Sequence, residues 1–191
     1  AERYRRLCDN ALRTLAKVLS LNPGHARAYQ EKGHVYLALN QPDLAIAAFE
    51  HAVRRNSALP ASWKALVGLY DRSGMSREAS AASEQLDFLS ELPKELLAVT
   101  SMINEDKLIK ADRLCRHFLQ NNKHDIEGMR LLAAIGIKAE ILAEAEFLLE
   151  SCVEFAPDYD LARYDYANLL LKMQKFEKAW QQTSILMERQ P

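Results

Sequence analysis

The stretch ARAYQEKGHVYLALNQPDLAIAAFEHAVRRNSAL (residues 26–59) decides the fold, because it holds two helix patterns separated by a turn. In each pattern apolar or small residues recur at steps of four and three, which places them on one face of a helix. The residues are Tyr29, Gly33 and Tyr36 in the first pattern, and Ala45, Phe49 and Ala52 in the second. The turn between them is Asn40-Gln41-Pro42. The stretch therefore predicts a helix–turn–helix unit.

The alanine of the second pattern recurs along the whole chain. Its successive copies are separated by 34, 34, 32, 34 and 34 residues. A fixed period of this length predicts one supersecondary unit that is stacked repeatedly, and it excludes most compact enzyme folds. Alanine at this phase indicates a place where two helices approach too closely for a larger side chain. The six copies are Ala11, Ala45, Ala79, Ala111, Ala145 and Ala179.

First-helix patterns also lie between the later alanines, in residues 60–73, 126–139 and 160–173. The residues of the last pattern are Arg163, Tyr166, Ala167 and Leu170. Gly74 follows the first of these segments as a helix stop. Nothing alternates with a period of two for long enough to form a strand. The sequence therefore predicts an all-α protein of eleven helices in antiparallel pairs.

The connections between helices carry signals of their own. The single spacing of 32 residues, between Ala79 and Ala111, predicts a two-residue deletion within residues 86–94 and a joint between two blocks of repeats. Pro93 is expected in the first turn of the next helix, where a missing N–H is harmless. Asp158 or Asp160 is expected to cap the helix that follows Pro157.

Composition limits the partners of the protein. The chain has 25 Lys and Arg against 26 Asp and Glu, interleaved along most segments, so the clustered cations that bind a phosphate backbone are missing and nucleic acid is not an expected partner. No apolar run approaches the roughly 20 residues of a membrane span. The N-terminal segment has no signal-peptide core, and three cysteines at no metal-ligand spacing predict reduced core residues. These features favour a cytoplasmic protein.

Catalytic and metal sites are not expected from the residue pattern. Cys115 and His117 are two positions apart, so on a helix they point to different faces and cannot share a proton or a metal ion. The remaining histidines have no second His and carboxylate at ligand spacing. The six glycines form no phosphate-cradling loop. The chain is therefore predicted to be no enzyme and to hold no cofactor and no metal.

The full pattern resembles the tetratricopeptide repeat: an aromatic, a Gly and a Tyr on the first helix, Ala, an aromatic and Ala on the second, and then Pro. Five units keep parts of this pattern in phase, and the resemblance covers nearly the whole chain. It implies a single solenoid, residues 1–191, with the repeats stacked as a right-handed superhelix. The units are residues 26–59, 60–91, 92–125, 126–159 and 160–191, preceded by an orphan second helix at about residues 4–23.

The resemblance further implies a concave wall, built from the solvent-facing positions of each first helix, that binds a protein or peptide. Tyr164 is expected to supply contact area, Asn168 a bidentate hydrogen bond to a peptide unit, and Arg130 a contact with a carboxylate. The basic and Asn clamp of chaperone-binding members is absent. The predicted peptide-binding residues are Arg27, Gln30, His34, Lys64, Arg130, Tyr164, Asn168 and Leu171.

A second interpretation is a regulatory or substrate-positioning module of a larger enzyme. Residues 92–191 are similar to the repeat region that precedes a sulfotransferase domain in some bacterial proteins. No phosphosulfate-binding loop is present, so this segment itself is expected to lack that activity. A phosphate loop coded after Pro191 would favour this interpretation over the scaffold.

The final helix carries apolar residues that the next unit of a solenoid would cover. They are Trp180, Ile185, Leu186 and Met187. The helix is therefore expected to expose apolar surface, and self-association through the uncapped ends of the solenoid is an expected consequence.

Overall fold

The computed structural model describes residues 2–189. Eleven helices and no strand occur within these residues, which confirms the all-α fold. The chain divides into two compact units, one ending at Leu92 and the other beginning at Pro93. Within residues 2–189 every helix is too short or too polar to span a lipid bilayer.

Unit 1 contains five helices, and the successive helices α1 to α5 pack against one another within it. They are α1 (Glu2–Leu21), α2 (Ala26–Ala38), α3 (Pro42–Arg55), α4 (Pro60–Arg72) and α5 (Ser76–Glu91). α3 and α4 both begin at a proline, whose fixed φ suits the first helical position and whose missing N–H would have no partner there. α1 is a second helix of the repeat and packs against α2.

Unit 2 contains six helices, which form three helix–turn–helix units. They are α6 (Lys94–Asn104), α7 (Leu108–Asn121), α8 (Ile126–Lys138), α9 (Leu142–Phe155), α10 (Asp160–Lys172) and α11 (Phe176–Arg189). The N-terminus of α8 is capped by Asp125, whose Oδ1 accepts a hydrogen bond of 2.7 Å from the backbone N–H of Gly128.

Two of the expected helix starts are wrong in detail. Pro93 is the N-cap of α6 and does not lie in its first turn. Neither Asp158 nor Asp160 caps α10, because its N-cap is Tyr159, whose side chain makes no capping hydrogen bond. Both carboxylates instead accept hydrogen bonds from Arg189, at 3.0 and 2.9 Å, and these bonds tie α11 to the start of α10.

Alanine at the repeat phase lies where paired helices cross. Five of the six copies are buried: Ala45, Ala79, Ala111, Ala145 and Ala179. Ala11 is half-buried, because it lies on α1, where the structure describes no first helix of the same repeat. The alanine at this phase is therefore buried in each of the five repeats for which the structure describes both helices.

Glycine at position 33 allows a second close contact. A Cβ built on Gly33 would lie 2.8 Å from three ring carbons of Phe49, closer than real Cβ contacts allow. Phe49 is fully buried in the core of unit 1. The ring of Phe49 therefore packs directly against the backbone of α2.

The turn after each complete first helix contains a residue with left-handed backbone conformation. Four of these five residues are not glycine. They are Asn40, Asp106, Glu140 and Gln174, with φ of 56°, 57°, 61° and 60°, while Gly74 has φ of 72°. An L-residue pays roughly 1–2 kcal/mol for this conformation, and Asn and Asp tolerate it best.

We expect Gln174→Gly to raise the free energy of unfolding by about 0.5–1 kcal/mol, because glycine adopts the left-handed conformation without steric cost. The measurement is urea unfolding followed by far-UV circular dichroism. Gly74→Ala is the matched control and should lower stability by about 1 kcal/mol. A loss of stability in Gln174→Gly would contradict the prediction.

Candidate functional site

The first helices of unit 2 share one face. α8 packs against both α6 and α10, so their side chains form a continuous surface, called here the inner face of unit 2. On α10, Tyr164, Asn168 and Leu171 follow one another at steps of four and three residues along this face. All three are exposed, and Tyr164 keeps 57% of its surface accessible. Three of the predicted residues therefore form a single solvent-facing stripe.

Arg130 lies on the neighbouring helix but is already paired within the chain. Its Nε and Nη2 each donate a hydrogen bond of 2.7 Å to Glu127, and its Nη1 donates one of 2.5 Å to Asp165 on α10. Its side chain is only 13% exposed. A carboxylate from a partner would have to compete with Asp165 for this guanidinium.

Arg130, Glu127 and Asp165 form a cluster, called the Arg130 cluster, that Tyr159 extends to the start of α10. The hydroxyl of Tyr159 donates a hydrogen bond of 2.7 Å to Oε2 of Glu127. Burial raises the pKa of Tyr159, and the charge of Glu127 raises it further. Burial of the Arg130 guanidinium lowers its pKa, but the hydrogen bonds and charges of Glu127 and Asp165 outweigh burial and raise it overall. At neutral pH Tyr159 is therefore uncharged and Arg130 is charged, and the cluster links α8 to α10.

The other four predicted residues lie in unit 1. Arg27, His34 and Lys64 are exposed, while Gln30 is half-buried. Oε1 of Gln30 accepts a hydrogen bond of 3.1 Å from Ser62 on α4, and the ring of His34 stands edge-on to Phe49 at 5.0 Å between centroids. Arg27, His34 and Lys64 lie on α2 and α4, and the surface that they form is named the basic face of unit 1. The predicted wall therefore consists of two sets of residues, one in each unit.

The cysteines are core residues, as the sequence predicted. All three are buried, and the thiol of Cys115 donates a hydrogen bond to the carbonyl oxygen of Gly128 at 3.2 Å. Burial raises the pKa of Cys115 to about 12 and that of Cys152 also to about 12. Within residues 2–189, no three His, Cys, Asp or Glu side chains are grouped to hold a metal ion.

One charged residue in the core was missed as a candidate. The sequence pattern places Arg163 on the buried stripe of α10, and the structure leaves only 6% of its surface exposed. Its place in the repeat is that of Tyr29 and Trp63, 134 and 100 residues earlier. An arginine at an aromatic position was the signal that could have identified it.

The last helix exposes apolar surface, as expected. Trp180 is 72% exposed and Met187 is also exposed, while Ile185 and Leu186 are half-buried. Phe176, at the start of α11, is exposed beside Trp180.

A family model connects the repeats to a known family. Residues 8–70 match the model of the tetratricopeptide repeat. This match supports membership of the tetratricopeptide repeat family. It extends from α1 through the first complete repeat and into α4, the first helix of the next repeat. No curated protein matches the sequence.

Solved structures resemble the chain at low identity, and two of them are tetratricopeptide repeat proteins. One is YrrB, a TPR protein with an unusual peptide-binding site (17% identity, TM-score 0.47, 93% of this chain and 92% of that one). Another is a thermophilic TPR protein of Thermus thermophilus (17%, 0.48, 87% and 92%). A third is residues 41 to the end of MamA from Desulfovibrio magneticus RS-1 (13%, 0.46, 85% and 93%). The sulfotransferase context expected for residues 92–191 is not supported by these comparisons.

Proposed function

We propose that the chain is a scaffold without catalytic activity that binds a protein or peptide through its first helices. The observation that carries the proposal is the exposed stripe Tyr164, Asn168 and Leu171 on α10. Tyrosine offers a large contact area at low entropic cost, and the Asn amide can both donate to and accept from one peptide unit. The stripe therefore suits an extended peptide.

The Arg130 cluster holds α10, the helix that carries this stripe, in place against α8. The hydrogen bond from Arg130 on α8 to Asp165 joins the helix that carries the stripe to the neighbouring first helix. Because Asp165 directly follows Tyr164, the ion pair holds the backbone beneath the tyrosine ring. A binding surface that is ordered before its partner arrives loses less entropy on binding. We propose that Arg130 positions the face, and that contact with a partner carboxylate is secondary for this residue.

The basic face of unit 1 suits acidic side chains. Arg27 and Lys64 are exposed, and neither appears in an ion pair within the described residues. Solvent-exposed cations contribute mainly to the rate of association and to specificity. We propose that this face selects partners with acidic segments.

The test begins with a partner isolated by pull-down and a peptide from it that binds the purified chain. We expect Tyr164→Ala with Asn168→Ala to weaken binding of that peptide by at least about tenfold, because buried aromatic contacts and paired amides dominate such interfaces. Isothermal titration calorimetry measures the affinity. Phe155→Ala, an exposed aromatic on α9, is the matched control. An unchanged affinity in the double variant would show that the inner face of unit 2 is not the binding surface.

A further inference from the structure

Arg163 is a buried cation whose hydrogen bonds are all to neutral groups. Its Nη1 donates to Oε1 of Gln182 at 2.6 Å, and its Nη2 donates to the carbonyl oxygen of Pro157 at 2.8 Å. Its Nε has no acceptor among residues 2–189. Burying a guanidinium without a carboxylate is costly, so its presence requires an explanation.

The hydrogen bond to Pro157 does not explain the charge. At the equivalent position in unit 1, Trp63 donates its indole N–H to the carbonyl oxygen of Ser57 at 2.8 Å. Donor and acceptor are six residues apart in both cases. An uncharged tryptophan thus forms the same link without desolvating a cation.

Neither Asp158 nor Asp160 forms an ion pair with Arg163. Asp158 and Asp160 are paired with Arg189, whose Nη1 also donates to the Pro157 carbonyl at 2.9 Å. Burial lowers the pKa of Arg163 and the positive charge of Arg189 lowers it further, while the charges of Asp160 and Asp158 offset this lowering only in part. The guanidinium nevertheless stays protonated at neutral pH. Two cations therefore surround one carbonyl oxygen, and one of them has no ion-pair partner among the described residues.

Arg163 lines an open groove between the second helices of unit 2. The groove has a volume of about 440 Å³ and lies between α9 and α11, with α10 as its floor. Phe147 stands at its edge and is 68% exposed. Four charged residues line the groove: α9 contributes Glu150 and Glu154, α10 contributes Arg163, and α11 contributes Lys178. Glu150 is already paired, because its Oε1 lies 3.9 Å from Nζ of Lys178 and accepts a hydrogen bond of 3.3 Å from the hydroxyl of Tyr166. A polyanion would be repelled by the α9 side, whereas a ligand with both charges matches the groove.

We propose that this groove binds a peptide segment in which an acidic side chain pairs with Arg163 and an adjacent basic side chain faces Glu154. Phe147 provides apolar contact for the backbone and the aliphatic stems. The surface is formed by second helices, so this site is separate from the inner face of unit 2. It does not depend on the function proposed for that face.

The experiment follows the Nε–Hε signal of Arg163 by ¹H–¹⁵N NMR of the whole chain, with the signal assigned by its loss in Arg163→Trp. The probes are the blocked dipeptides acetyl-Glu-Lys-amide and acetyl-Gln-Lys-amide, and inorganic phosphate. We expect a saturable shift with the Glu peptide and at least about tenfold weaker binding of the Gln peptide, because a charged hydrogen bond is lost. The Arg189 signal is the internal control, since that guanidinium is already paired.

Other outcomes would overturn the proposal. No shift with the Glu peptide means that the groove does not bind a carboxylate, and equal shifts with both peptides mean that the charge is not recognised. Phosphate binding as tightly as the Glu peptide would indicate a general anion site. Arg163→Trp should fold, with an unfolding midpoint at least as high as that of the wild type, and should not bind the Glu peptide. The titration of the wild type decides the question independently of that variant.

Discussion

Replacing Phe49 with alanine is expected to lower the free energy of unfolding of unit 1 by about 3–5 kcal/mol. The side chain is fully buried, and its ring fills the space left by the absent Cβ of Gly33. It also packs edge-on against His34. Because the ring contacts α2 while lying on α3, its loss opens a cavity between the two helices of a repeat, and the backbone of α2 cannot move in to fill it.

Unfolding of unit 1 can be measured separately from that of unit 2. Trp63 lies in unit 1 and is half-buried, so in a Trp180→Phe background its fluorescence reports on that unit during urea unfolding. Leu44→Ala is the control, because Leu44 is exposed on the same helix, and it should change stability by no more than about 0.5 kcal/mol. If Phe49→Ala cost no more than this control, the packing described for α2 and α3 would be wrong.

The helices and their pairing could be predicted because their cause is local. A small residue at a fixed phase, followed at helical steps by apolar residues, specifies both the period and the face of each helix. The turn residues with left-handed backbone conformation were harder to predict from the sequence. Gly74 was predicted as a helix stop, but Glu140 and Gln174 adopt the same backbone conformation without a residue type that requires it. Their shared phase in the repeat was the signal, since the spacing that relates the alanines also relates these turns.

The contacts of the candidate site were harder to predict, because they join residues about one repeat apart. Arg130 and Asp165 are separated by 35 residues, and Lys172 and Glu140 by 32. Stacking places such residues side by side, but side-chain rotamers decide which of several neighbours form a pair. The sequence therefore predicted that Arg130 faces solvent near Tyr164, and it did not reveal that Glu127 and Asp165 occupy its guanidinium.

The surroundings of the Arg163 charge could not be predicted from the sequence, although the burial of Arg163 could. Helical periodicity correctly assigned it to the buried stripe of α10. Periodicity describes which positions are buried and does not describe how a charge is balanced there. That balance depends on Arg189 and on the carboxylates around Pro157, which are brought together only by the packing of α11 on α10.

Ala145→Leu is expected to lower the free energy of unfolding of unit 2 by about 1–3 kcal/mol, because it overpacks a filled helix crossing. Ala145 is fully buried, and its Cβ lies 3.4 Å from the position that a Cβ on Gly136 would occupy. A larger side chain would therefore press against the backbone of α8 and push the two helices apart. Gly136 leaves no side chain of its own that could move aside, whereas the equivalent residues of two earlier repeats are Tyr36 and Tyr70.

Thiol labelling can measure this loss in unit 2 under native conditions. Cys115 and Cys152 are fully buried, and burial raises the pKa of each thiol to about 12, so they react only when the unit opens. The experiment uses a Cys8→Ser background, so that only Cys115 and Cys152 can react. When the unit closes faster than the thiols are labelled, the labelling rate of Ala145→Leu should rise by about tenfold for each 1.4 kcal/mol of unfolding free energy that is lost. Ala143→Leu is the control, because Ala143 is exposed on the same helix and should leave the rate nearly unchanged. Equal labelling rates for Ala145→Leu and Ala143→Leu would mean that the crossing of α8 and α9 is not packed as described.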